Sequence, residues 1–227
     1  MQAVVRTLIL LGGIVACHAS SPNTNPDAAP PTGDGSNAGH EGLEVRWSAP
    51  IPGSVTSDVS VSTLVFRVAS LRVIGDAGPG DNRTSADTFK VSWTQGSTPD
   101  PLEFADAPTG LYSHVAFLAD GNLIDYSYEI QGMAKLNGNP TPFYIHDRSP
   151  LPVSMDTSAT LDPNQITSIA IHIALDQALQ SVDWGHLDNN NGTLTLDTFD
   201  NGMNDFRGKM INSVFSTDHP DGRIDTH

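Results

Sequence analysis

The feature that most constrains this chain is a two-residue alternation of apolar and polar side chains in several separate segments. In FKVSW the apolar residues stand at every second position, and in IAIHI the isoleucines do the same. Tyr126, Tyr128 and Ile130 repeat the pattern between polar neighbours. Such an alternation places one set of side chains on a core and the other toward solvent, which is typical of half-buried antiparallel strands.

Clusters of turn-forming residues separate these segments. GDAGPGDN, QGSTPDP, NGNPTP and DRSPLP are rich in Gly, Pro, Asn and Asp, which favour turns. Short strands between such clusters predict an all-β fold, a single antiparallel β-sandwich of the immunoglobulin or transthyretin type with one or two short helices. We predict strands near residues 43–47, 63–74, 88–94, 111–118, 125–136, 142–146, 151–155, 166–175 and 193–198.

Two segments depart from the alternation and predict helices. DQALQSVDW is expected to form one or two turns, with Leu179 and Val182 facing inward. Residues 201–215 carry apolar side chains at helical spacing, as one stripe of an amphipathic helix. The stripe consists of Met203, Phe206, Met210 and Val214. We interpret it as core packing rather than as a cofactor-binding surface.

The first residues are typical of an export signal. Arg6 precedes an apolar run from Leu8 to Ala16, which is far shorter than the roughly 20 residues that cross a bilayer. The run ends in IVAC, whose Cys17 is the single cysteine of the chain. This sequence resembles a bacterial lipobox. The resemblance implies that residues 1–16 are a lipoprotein signal peptide cut before Cys17, that the Cys17 sulfur receives a diacylglycerol, and that the new amino end is acylated with palmitate or a similar fatty acid. The alternative is an ordinary signal peptide with an incidental cysteine.

A polar spacer follows the cysteine. Residues 18–42 contain no apolar side chain larger than alanine, so they cannot bury enough surface to offset the entropy of ordering. We therefore predict a lipidated cysteine and disordered tether at 17–42, and a β-sandwich domain with an Asp- and Asn-rich C-terminal extension at 43–227. In enteric bacteria an Asp after the lipidated cysteine favours the inner membrane. His18 stands there instead, which predicts the outer membrane, in a periplasmic or surface-facing orientation.

The charge balance narrows the choice of partners. The leader contains Arg6 and no acid, so its removal leaves 10 basic against 26 acidic residues, a formal charge of −16. Binding to nucleic acid requires clustered Lys and Arg, so we predict no nucleic-acid partner. The expected contact with the membrane is through the lipid anchor, and a protein or carbohydrate partner is left open.

One family resemblance extends over most of the predicted domain. The segment APTGLYSHVAFLADG resembles the Pro-x-Gly-x-Tyr start of a strand in a domain of unknown function common in bacterial lipoproteins, and IAIHIALDQALQSVDW resembles a later strand and turn of that domain. The likeness covers roughly residues 43–184. It implies a sandwich fold and an exported location, and it implies no catalytic residues.

Local motifs for catalysis are missing from the sequence. There is no Gly-x-Ser-x-Gly elbow, phosphate-binding loop, dinucleotide fingerprint or His-Glu-x-x-His. We therefore predict a non-catalytic binding or structural module rather than an enzyme. The alternative is a carbohydrate-active or other hydrolase with carboxylates from distant strands, since such pairs leave no local spacing.

Two groups of residues could bind a metal. His114, His146 and His172 lie on separate predicted strands, where they either converge as a zinc or copper site or stay apart. In the C-terminal part, an Asp- and Asn-rich region supplies the oxygen ligands that calcium prefers. The candidate calcium ligands are Asp188, Asn190, Asp197 and Asp200. The same residues are good turn formers, and we expect no other cofactor.

Overall fold

The computed structural model describes residues 42–76, 82–122 and 124–218. The predicted signal peptide, Cys17 and the predicted tether up to residue 41 lie outside the described residues. The strands are β1 Gly42–Ser48, β2 Gly53–Ser54, β3 Val59–Gly75, β4 Asn82–Ala86, β5 Phe89–Trp93, β6 Leu102–Phe104, β7 Gly110–Ala119, β8 Tyr128–Leu136, β9 Asn139–Asp147, β10 Leu151–Leu161, β11 Ile166–Ile173, β12 Asp188–Asn190, β13 Thr193–Asp197 and β14 Phe215–Thr217. The helices are α1 Asp176–Gln180 and α2 Met203–Ser213.

Hydrogen bonding groups these strands into two sheets within the part of the chain that the structure describes. The smaller sheet has the order β14-β11-β1-β6, and the larger one has the order β10-β7-β3-β8-β9-β13-β12. Strands β2, β4 and β5 pair with the long strand β3 of the larger sheet. This arrangement confirms the predicted all-β sandwich, and every predicted strand overlaps an observed one.

Aromatic side chains join the two sheets. Trp47 of the smaller sheet meets the ring of Phe117 edge-on, with 5.4 Å between ring centroids. Phe215, also of the smaller sheet, contacts both Phe117 at 5.1 Å and Phe66 at 5.5 Å. Because these rings belong to one buried cluster with the inward residues of both sheets, the alternation in the sequence reflects a single shared core.

Two pairings differ from the antiparallel expectation. Strand β1 pairs in parallel with β11, and β13 pairs in parallel with β9. Both pairs join strands that are distant in sequence, so a tight hairpin does not fix their direction.

The prediction that Tyr126 shares a face with Tyr128 was wrong. Strand β8 begins only at Tyr128, which is buried, whereas Tyr126 is half-buried on the other face of the sheet. The chain leaves the sheet between β7 and β8, because Arg67 accepts a hydrogen bond from the Asp120 amide and donates to the Ser127 carbonyl. This excursion changes the phase of the alternation.

Both predicted helices are present, and the longer one covers the inner side of the larger sheet. The side chains of Met203, Phe206, Met210 and Val214 are all buried, which confirms the prediction that this stripe packs in the core. The Phe206 ring lies 6.3 Å from that of Tyr128 on β8. Among the described residues, neither helix has the length and apolar character needed to cross a membrane.

Candidate functional site

The ends of β9 and β13 bring together residues from both groups singled out in the sequence. The parallel register places Asp197 opposite His146 and Thr195 opposite Tyr144. These side chains point to the outer face of the larger sheet, because Phe143 and Ile145 between them are buried in the core.

Tyr126, Glu129, Tyr144, His146 and Arg148 form an outer-face cluster. The Tyr144 ring stacks on the His146 ring at a centroid distance of 4.4 Å. The Tyr126 ring meets His146 edge-on at 4.3 Å. On the Tyr126 ring lies the Arg148 guanidinium, 4.5 Å from the centroid, in a cation–π contact.

Glu129 is the anionic centre of this cluster. Its carboxylate accepts hydrogen bonds from Tyr144 Oη at 2.5 Å and from Arg67 Nη1 at 2.7 Å. Burial alone would raise the pKa of Glu129, but these hydrogen bonds and the Arg67 charge outweigh it and hold the pKa below the ordinary range. Burial and the neighbouring carboxylate raise the pKa of Tyr144. Glu129 is therefore ionised and Tyr144 protonated at neutral pH.

His146 is buried under the two tyrosines, with 5% of its surface exposed. Its Nε2 lies 3.3 Å from Asp197 Oδ2, and its Nδ1 has no hydrogen-bond partner among the described residues. Burial lowers the pKa of His146, against the opposing effect of Asp197 and Glu129. Since both tyrosines pack against the imidazole, the arrangement is a packed charge network.

The lowered pKa of His146 predicts a specific pH dependence of stability. Below its ordinary pKa of 6.5, the unfolded chain takes up a proton that the folded chain resists, so the free energy of unfolding falls as the pH falls. We expect His146→Gln to reduce this loss, measured by urea denaturation at about pH 7.5 and about pH 5.5. The exposed His114, changed to Gln, is the control on the same face. An unchanged pH dependence in His146→Gln would contradict the assignment.

An acidic cavity of about 490 Å³ lies between the segment after α1, strand β12 and the start of α2. Four aspartates contribute to its lining, together with His186 and Leu196. The aspartates are Asp183, Asp188, Asp200 and Asp205. No Lys or Arg and no Phe, Tyr or Trp is among its lining residues in the part of the chain that the structure describes.

The four candidate calcium ligands are only partly brought together. Asp188 and Asp200 line the acidic cavity, whereas Asn190 and Asp197 do not. Asp197 faces His146, and Asp200 Oδ2 accepts a hydrogen bond from the Asp197 amide at 2.6 Å, so both carboxylates shape the turn after β13. No group of three or more His, Cys, Asp and Glu side chains within 42–76, 82–122 and 124–218 is arranged to hold a metal ion. Calcium binding stays a prediction.

The three strand histidines stay apart. His114 lies 3.0 Å from Asp156, His172 lies 2.6 Å from Asp218, and His146 faces Asp197. Each imidazole thus has its own carboxylate neighbour, and the three do not converge as a zinc or copper site. The sequence left both arrangements open, and the structure has the separate one.

Two exposed apolar side chains lie on loops that contact Arg148 of the outer-face cluster. They were not predicted from the sequence. Ile124 is 82% exposed and Phe199 is 89% exposed; we call them the loop tips. Both loops are held by Arg148, whose amide donates to Thr198 Oγ1 at 2.9 Å and whose Nη1 donates to the Ile124 carbonyl at 3.0 Å. A large apolar residue inside a polar turn cluster, as in DTFDNG, is the signal that could have revealed Phe199.

Comparisons with known proteins add no relative. No protein-family model, no curated protein and no solved structure matches this chain. The resemblances to a lipobox and to a lipoprotein sandwich domain therefore remain predictions from the sequence.

Proposed function

We propose that this chain is an exported lipoprotein, anchored in the outer membrane through Cys17, whose β-sandwich acts as a non-catalytic binding module. The observation that carries the proposal is the IVAC sequence at the end of a short apolar leader, followed directly by the polar segment 18–42. One anchoring mechanism, lipidation of Cys17, accounts for the leader, for the cysteine at its end and for the spacer that follows.

The physical chemistry of the anchor is consistent with this role. A single acyl chain binds a membrane only marginally, whereas two or more hold a protein stably. The spacer 18–42 would reach about 25–30 Å as a flexible coil, which suffices to hold a domain clear of the lipid headgroups. Lipidation would also consume the only thiol, so the domain relies on its core for stability.

A binding role, rather than catalysis, is supported by the loop tips. An exposed apolar patch rimmed by polar residues is typical of an interaction site, and loops that are ordered before binding lose little entropy when a partner docks. The hydrolase alternative has carboxylates in the acidic cavity, but the lining residues that the structure describes include no Phe, Tyr or Trp on which a sugar could stack. The geometry therefore favours binding.

Replacing Cys17 with Ser tests the anchor. We expect the variant to lose labelled palmitate and to leave the membrane fraction after a salt wash, because the hydroxyl cannot receive the lipid thioether. The control is Ser20→Ala in the same spacer, which should behave as the wild type. Membrane retention of Cys17→Ser after the wash would contradict the proposal.

A further inference from the structure

We infer that the loop tips and the mouth of the acidic cavity form a docking surface for a basic protein segment, one that places an apolar side chain beside a lysine or arginine. This inference rests on the proposed function as a binding module. It adds the chemistry of the partner, which the anchor does not determine.

The apolar half of the surface consists of Ile124 and Phe199. They are the most exposed large apolar side chains of the described residues, at 82% and 89%. An exposed apolar patch rimmed by polar residues is typical of a protein interaction site. Aromatic side chains are also the residues that most often dominate the binding energy of an interface.

The loops that carry these side chains are held in place before any partner binds. Arg148 is hydrogen-bonded to both loops, through Thr198 and the Ile124 carbonyl. Within the first loop the Asp125 amide donates to the Gly121 carbonyl at 3.0 Å, and in the second the Asp200 amide donates to the Asp197 carbonyl at 3.0 Å. A preorganised surface loses little conformational entropy on binding, which favours docking.

The charge around the tips selects a cationic partner. Asp200 follows Phe199 directly in sequence and lines the acidic cavity with three further aspartates and no Lys or Arg. The nearby cations are already engaged, Arg148 with the Tyr126 ring and the Ile124 carbonyl, and Arg67 with Glu129 and Asp125. A lysine or arginine next to the apolar anchor of a partner would therefore meet complementary charge, whereas nucleic acid or an anionic membrane would be repelled.

Short fluorescein-labelled peptides of equal length test this chemistry against the full chain in detergent, by fluorescence anisotropy at fixed ionic strength. One peptide combines Lys with Leu, the second Glu with Leu, and the third Lys with Ser. We expect binding of the Lys–Leu peptide alone. Phe199→Ser should weaken it by about tenfold or more, the scale of losing one interface anchor. Asp188→Asn at the cavity should weaken it by several-fold.

Matched control variants distinguish binding at this surface from nonspecific binding to any exposed acidic or apolar side chain. Ile166→Ser removes an exposed apolar side chain, and Asp162→Asn removes an exposed charge, and neither residue belongs to the surface. Both should bind the peptide as the wild type does. The inference is overturned if the Lys–Ser peptide binds equally well, if no peptide binds, or if Phe199→Ser equals Ile166→Ser.

Two further experiments test whether something other than a basic protein segment occupies the docking surface. Self-association in sedimentation velocity that Phe199→Ser abolishes would assign the surface to a second copy of the chain, and binding to phosphatidylcholine vesicles through Phe199 would assign it to the membrane. Either result would overturn the inference. Neither experiment reads out lipidation of Cys17, so their failure is distinguishable from failure of the anchor.

Discussion

Replacing Arg207 with Met is expected to lower the free energy of unfolding by about 3–5 kcal/mol. The Arg207 guanidinium donates to Asp147 through Nε at 2.6 Å and through Nη2 at 3.0 Å, and Asp147 is fully buried. Tyr128 Oη and the Ser149 amide donate to the same carboxylate. Without Arg207, the buried carboxylate keeps two neutral donors and, among the described residues, no ion-pair partner.

The loss should appear as a fall in melting temperature of roughly 6–20 °C, since each kcal/mol corresponds to about 2–4 °C in a domain of this size. The matched control is Lys135→Met, which removes an exposed ion pair with Asp58 at 3.3 Å and should cost less than about 1 kcal/mol. If the two variants have the same melting temperature, the contact between Arg207 and Asp147 does not stabilise the packing of α2 on the larger sheet.

A single added methyl group at Gly132 is expected to destabilise the domain by about 3 kcal/mol or more, at the upper end of core overpacking. Gly132 lies on β8, where an added Cβ would stand 2.0 Å from the Ser60 carbonyl oxygen and 2.8 Å from the Phe143 ring. The Ser60 oxygen is backbone, so it cannot move without shifting the pairing of β3 with β8. Urea denaturation measures the change.

Gly208→Ala is the control of opposite sign. Gly208 lies inside α2, and nothing stands within 4 Å of an added Cβ. Alanine in a helix interior is favoured over glycine by roughly 0.5–1 kcal/mol, so this variant should be stabilised. Equal effects of the two substitutions would show that the close approach at Gly132 is not what excludes a side chain there.

The fold could be predicted because most strands carry their own signal. Alternation in β5, β10 and β11 reports directly which side chains are buried. The short strands went unpredicted because their residues are too few or too polar to alternate. These strands are β2, β4, β6, β12 and β14. Each is placed by its neighbour in the sheet rather than by its own sequence.

The candidate site could be predicted only residue by residue. The sequence singled out His146 and Asp197 for different reasons, and nothing local indicates that β9 and β13 pair in parallel. Tyr126 was assigned to the wrong face because the excursion after Asp120 depends on contacts with Arg67, far away in sequence. Non-local pairing, which local patterns do not encode, accounts for both.

The mass of the N-terminal peptide tests the central claim of a lipid-anchored module most directly. The first Lys or Arg after Cys17 is Arg46, so trypsin should release residues 17–46 as one peptide from protein purified from membranes. This peptide is expected to begin at Cys17 and to carry the mass of a diacylglyceryl group and an amide-linked acyl chain. A peptide with an unmodified Cys17, or one that still includes residues of the leader, would contradict this claim.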